Sequence, residues 1–150
     1  ASKTFRWFHR VSGDVVLSQD GKFLFYRPTV DPKNEQSSYS PVSGKLLEEL
    51  GGNLDSLYRY YRKAGFDEVI FSLIPNPVTI LQPQGYNQVI PVLQEKMRAK
   101  AIPYVDAYAD FMHQADPASL YRKDDTHWST EGCHQWLALL NRQLVGISER

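Results

Sequence analysis

Val69-Ile70-Phe71-Ser72-Leu73-Ile74-Pro75-Asn76-Pro77 decides how this 150-residue chain is expected to fold. Its first six positions are almost continuously apolar and its last three form a breaker, the pattern of a strand buried on both faces. A second run, Ile102-Pro103-Tyr104-Val105-Asp106, follows after a helical stretch from about Asn87, on which Val89, Val92, Leu93 and Met97 share one face. Pro91 is tolerable there because it falls near the first turn. Strand, crossover helix and strand at this spacing make a βαβ unit, so the two strands are predicted to lie parallel.

Working outward, Val15-Val16-Leu17-Ser18 and Lys22-Phe23-Leu24-Phe25-Tyr26 flank the turn signal Asp20-Gly21 and read as an N-terminal β-hairpin. Ser37 to Pro41 is a polar loop. A short helix is predicted from Ser43 to Leu50, stopped by Gly51-Gly52, with a second starting at Asn53. In the second, Leu54, Leu57, Tyr58 and Tyr61 form one apolar face and Gly65 ends it. Beyond the βαβ unit come a helix from Ala107 to about Gln114, a loop around Asp116-Pro117, and a last helix starting at Ser129 or Thr130. Cys133, Trp136, Leu137, Leu140 and Leu144 form its expected buried stripe. The alternation implies an α/β class: a three-layer α/β/α arrangement of flavodoxin-like type with a mainly parallel sheet and the hairpin at its start. Ligands in such sheets gather beyond the carboxyl ends of the strands.

Composition bounds the function. With 42% hydrophobic and 13% aromatic residues the chain is expected to bury a real core as one domain over residues 1–150. Net charge is zero and the basic residues are scattered, so no nucleic-acid footprint is expected. No apolar stretch approaches the length of a membrane span, and Ala1 to Arg6 lacks a signal-peptide core. The single Cys133 excludes an intrachain disulfide.

Asp125-Thr126-His127-Trp128-Ser129 carries the chemistry. A carboxylate two residues before an imidazole, at the mouth of a helix, can fix the ring tautomer through one nitrogen while the other takes a proton from a serine hydroxyl. Only a turn brings side chains at that spacing together, because in a helix they diverge and in a strand they stay parallel. The bland alternative is an Asp that binds loop amides and a His that caps the helix. A zinc reading from Asp124, Asp125, His127, Cys133 and His134 fails on placement, with Cys133 expected inside and His134 pointing aside, so neither metal nor other cofactor is expected.

Leu120 to Gly132 resembles the Asp-x-His-Trp block of the SGNH-hydrolase-like proteins typified by the alginate O-acetyltransferases and the bacterial DHHW proteins. Val15 to Phe25 is similar to that group's early hairpin, with Ser18 where glycine is usual and Phe23 near a tryptophan position. Ser72 to Asn76 and Tyr104 to Asp106 are similar to its successive strands. The resemblance implies a carbohydrate esterase or O-acetyltransferase in which Asp125 and His127 are catalytic. It also implies a bacterial periplasmic, envelope or secreted location and a carbohydrate or polysaccharide ester as partner. That group carries its serine later, in a Gly-Asp-Ser motif. Here the only Gly-Asp, Gly13-Asp14, precedes Val15, and Ser43 lacks a Gly-x-Ser-x-Gly elbow. The nucleophile is therefore expected outside the chain and the domain incomplete at its C-terminal end, with self-association through an open sheet edge as one consequence.

Three further residues are candidates for substrate contact. Asn76 has a side chain suited to an oxyanion or to a turn, Tyr121 stands beside Arg122 and Lys123, and Trp128 suits a pocket wall or a packing anchor. The competing function is a non-catalytic module that binds glycan or protein through its aromatic residues.

Overall fold

A computed structural model describes residues 13–149. The stretch Ala1 to Arg6, read above for an export signal, lies outside them. The fold is mixed α/β. β1 (Val15–Leu17) and β2 (Leu24–Tyr26) form the antiparallel hairpin, with Val16 opposite Phe25. Phe23 and Phe25, two apart and thus on one side of the ribbon, are both buried. The connection is wider than a two-residue turn. Ser18 Oγ accepts from the amides of Lys22 and Phe23, and Gly21 takes φ +72.

α1 (Gly44–Lys63) starts at the Ser43 cap, whose hydroxyl accepts from Leu46 N–H at 3.1 Å. It runs unbroken through Gly51-Gly52, where two helices were expected. Packing supplies the reason: a Cβ on Gly51 would stand 2.7 Å from Lys96 Cδ, so the glycine allows close approach of α3 (Val89–Ala99). Lys96–Glu48 at 2.5 Å and Lys100–Asp55 at 3.0 Å reinforce that contact. Tertiary contact here outweighs the glycine penalty.

β3 (Phe71–Ser72) and β4 (Tyr104–Val105) pair in parallel, Phe71 with Tyr104 and Ser72 with Val105, and α3 is their crossover. The mainly parallel sheet of a three-layer sandwich is not formed among the described residues: pairing is confined to this two-stranded ladder and the separate hairpin. The apolar runs are longer than the strands because only Phe71–Ser72 and Tyr104–Val105 find a pairing partner. α2 (Pro77–Leu81) was hidden by its prolines, although Asn76 as cap and Pro77 at the first turn are a legitimate helix start. α4 (Ala107–Met112) is capped by Asp106, which accepts from Ala109 N–H at 3.0 Å.

α5 (Thr130–Ser148) follows its Ser129 cap. Its stripe differs from the expectation. Trp136 and Leu139 pack on the core, whereas Cys133, Leu137, Leu144 and Val145 are exposed. The core itself unites Phe23 and Phe25 of the hairpin region, Val78 and Ile80 of α2, Ala107 and Phe111 of α4, and Leu120 and Tyr121. It lies directly behind the Asp-x-His loop. No helix of the described residues is long and apolar enough to cross a membrane.

Candidate functional site

The loop between the short 3-10 turn Pro117–Leu120 and α5 is closed at its base. Tyr121 and Trp128 form an antiparallel bridge, Arg122 N–H donates to His127 C=O at 3.1 Å, and Ser129 N–H donates to Leu120 C=O at 2.9 Å. Ser129 Oγ donates to Ser119 C=O at 2.6 Å while accepting from Gly132 N–H, so one hydroxyl caps α5 and welds it to the turn. The hairpin clamps the loop from another side, Leu24 N–H donating to Lys123 C=O at 2.8 Å.

Within this frame His127 Nδ1 lies 2.7 Å from Asp125 Oδ1. A carboxylate only accepts, so the proton of this bond is assigned to Nδ1, and in the neutral ring Nε2 then carries the lone pair. The bond to His127 holds the Asp125 carboxyl below its ordinary value against the opposing effect of desolvation, with further help from the Thr126 and His127 amides. The imidazole is 79% exposed and the Asp125 side chain 35%. Nε2 therefore faces solvent, and among the described residues it makes no hydrogen bond.

The other candidates fall around this pair in different ways. Trp128 is half-buried and wedged between Phe111 and Trp136, ring centroids 5.2 and 6.2 Å away. Trp136 in turn donates from Nε1 to Ser72 Oγ at 2.9 Å, at the end of β3. Tyr121 is a core residue, 3% exposed, with its hydroxyl on Pro75 C=O at 3.0 Å. It holds the loop from within, and Trp128 is the aromatic that reaches the surface. Asn76 follows Pro75 in sequence, but its amide is engaged elsewhere. Oδ1 accepts from Thr79 N–H and Oγ1–H, both at 3.0 Å, and Nδ2 donates to Ser38 Oγ at 3.1 Å. Asp125 and His127 are thus the pair brought into direct contact. Among the described residues no three His, Cys, Asp or Glu side chains converge as metal ligands would.

Sequence reading missed the residues that hold the loop: Leu24, Ser119 and Gly132. For Gly132 a signal existed. It is an isolated glycine in the first turn of a helix, and a Cβ there would collide with Leu120 C=O. No family model, curated protein or solved structure matches the chain.

Proposed function

We propose that Asp125 and His127 are the acid–base pair of an SGNH-like acyl-transfer site, acting on a carbohydrate or polysaccharide ester with a serine supplied from outside these residues. The observation that carries the reading is the 2.7 Å Nδ1–Oδ1 contact on a loop braced by the core and open at Nε2. In the first half-reaction Nε2 takes the serine proton as Oγ attacks the ester carbonyl, then returns it to the departing sugar oxygen. In the second it deprotonates a sugar hydroxyl or water, which takes the acyl group. Asp125 keeps the tautomer and stabilises the imidazolium. Trp128 borders the site. The described serines nearest in sequence are committed elsewhere, Ser129 to its cap and Ser119 to Asp116 C=O. The parallel pair β3–β4 is, in this reading, the seed of a larger three-layer α/β/α sheet in an envelope or exported protein.

Acetyl-ester hydrolysis by the natural gene product tests this. His127→Ala is expected to remove activity and Asp125→Asn to cut kcat by about 10⁴-fold, the loss seen when the orienting carboxylate of a serine triad is neutralised. Hydrolysis that survives His127→Ala overturns the reading. One observation favours a binding module instead. Tyr60, Tyr61 and Phe66, all exposed, stack edge-to-face with centroids 5.3 and 5.5 Å apart. Glycan affinity lost with Tyr60→Ala but kept with His127→Ala would support that alternative.

A further inference from the structure

Among the described residues, the hydrogen bonds of the Asp125 and His127 side chains stay within their own loop. The imidazole is exposed and the carboxylate partly so. Their mutual placement therefore depends on the backbone of residues 125–127, since side chains two apart meet only on a turn. A ladder of bonds between the two arms of the loop fixes that turn. From the outside inward, Ser129 Oγ donates to Ser119 C=O at 2.6 Å and Ser129 N–H to Leu120 C=O at 2.9 Å. Tyr121 then bridges Trp128, and Arg122 N–H donates to the carbonyl of His127 itself at 3.1 Å.

The outermost rung differs from the others in being made by a side chain. Capping α5 requires only that Ser129 Oγ accept from Gly132 N–H, as it does at 3.1 Å. The hydroxyl hydrogen is left over, and it is committed to Ser119 C=O. That bond fixes the residue before α5 against the 3-10 turn, two residues from His127. The opposite arm has a restraint of its own, the Leu24 amide on Lys123 C=O. The arm bearing His127 has Trp128, wedged between Phe111 and Trp136, and Ser129. Without the outer rung the ladder frays from its open end toward His127.

We propose that Ser129 is a positioning residue of the Asp125–His127 pair: its hydroxyl, beyond capping α5, ties the arm that carries His127 to the 3-10 turn and so keeps Nδ1–H on the Asp125 carboxylate. The consequence for catalysis rests on the acyl-transfer reading; the positioning itself does not.

The test compares Ser129→Ala, Ser129→Thr and Ser43→Ala in the isotope-labelled full chain, under conditions where circular dichroism shows each variant folded. Ser43→Ala removes the cap of α1 and costs comparable stability without touching the loop. In Ser129→Ala the His127 Nδ1 resonance is expected to move toward that of an unprotonated nitrogen, with Nε2 moving the opposite way. The Asp125 carboxyl midpoint is expected to rise toward its ordinary value. Ser129→Thr, which keeps the hydroxyl, and Ser43→Ala are expected to retain the wild-type signals. In acetyl-ester hydrolysis by the natural gene product, Ser129→Ala is expected to lower kcat by about 10- to 100-fold with KM within about twofold of wild type, and Ser43→Ala to change neither.

Unchanged His127 and Asp125 signals in Ser129→Ala would overturn the proposal and leave Ser129 a helix cap alone. So would equal changes in Ser43→Ala, or a threonine variant that behaves like alanine. Moved signals with unchanged kcat would overturn its catalytic part. A wild type without hydrolysis removes the acyl-transfer reading, while the His127 and Asp125 signals still decide whether Ser129 positions the pair.

Discussion

The Tyr121 hydroxyl donates to the Pro75 carbonyl at 3.0 Å, joining the base of the Asp-x-His loop to the breaker that ends β3. Burial raises this phenol above its ordinary range, which favours the protonated form that donates the bond. The bond is buried and ties the base of the loop to the segment that follows β3. Tyr121→Phe keeps the ring but strands a buried carbonyl. It is expected to cost about 1–2 kcal/mol of stability with no change in the denaturant slope, read from urea unfolding. A neutral result would mean that ring packing alone positions the loop.

Two glycines in one helix are predicted to respond with opposite sign. Gly132 lies under the Leu120 carbonyl, a backbone atom that cannot swing aside, so Gly132→Ala is expected to destabilise by about 1–3 kcal/mol despite the better helix propensity of alanine. Gly146 has open space where a Cβ would stand, so Gly146→Ala is expected to stabilise by about 0.5–1 kcal/mol. Thermal unfolding of the two variants side by side checks the contrast. Equal shifts would remove close approach as the reason for glycine at 132.

α3 begins with Gln88 at φ 58 and no side-chain cap of the usual kind. Its place is taken by Tyr86, whose hydroxyl accepts from Ile90 N–H at 2.9 Å. Burial raises this phenol to about 12. Tyr86→Phe leaves that amide unpaired and is expected to cost about 1 kcal/mol. The pH dependence has a definite sign. The unfolded chain releases the phenol proton before the folded one because burial penalises the phenolate, the Ile90 amide bond acting the other way, so the group's net contribution to stability is full below the ordinary tyrosine range and falls as pH rises toward the folded value. Alkaline unfolding of the wild type and Tyr86→Phe separates the two terms.

What could be read from the sequence was local. The hairpin was legible because apolar runs at Val15–Leu17 and Phe23–Tyr26 flank Asp20-Gly21, and the Asp125–His127 contact because it spans two residues on a turn. What escaped depends on contacts distant in sequence. The helix through Gly51-Gly52 exists because Lys96 lies across it, and the loop's clamp is an amide of β2, Leu24, bonded to Lys123. The α5 stripe shows the limit of periodicity. Cys133, Leu137 and Leu144 do share a face, but a periodic face says that a surface is apolar, and only the rest of the molecule decides whether anything covers it. Strand length failed for the same reason: Val69 to Ile74 has the composition of a buried strand, and Phe71–Ser72 is the part that finds a partner.

The Asp125 carboxyl offers the most direct reading of the dyad. Its hydrogen bond with His127 is the largest cause holding it below the ordinary value, so the folded chain binds the Asp125 proton less tightly than the unfolded chain. The resulting stabilisation is present above the ordinary carboxylate range and is lost as pH falls through the lowered folded value. His127→Ala removes the leading cause and is expected to move the Asp125 midpoint back up, followed by the carboxyl carbon resonance in an acid titration. Asp125 amide contacts would keep part of the depression, so the shift should be incomplete. A midpoint that does not move would assign the depression to the Thr126 and His127 amides, and with it would go the argument that this imidazole is held by its neighbour in the tautomer acyl transfer requires.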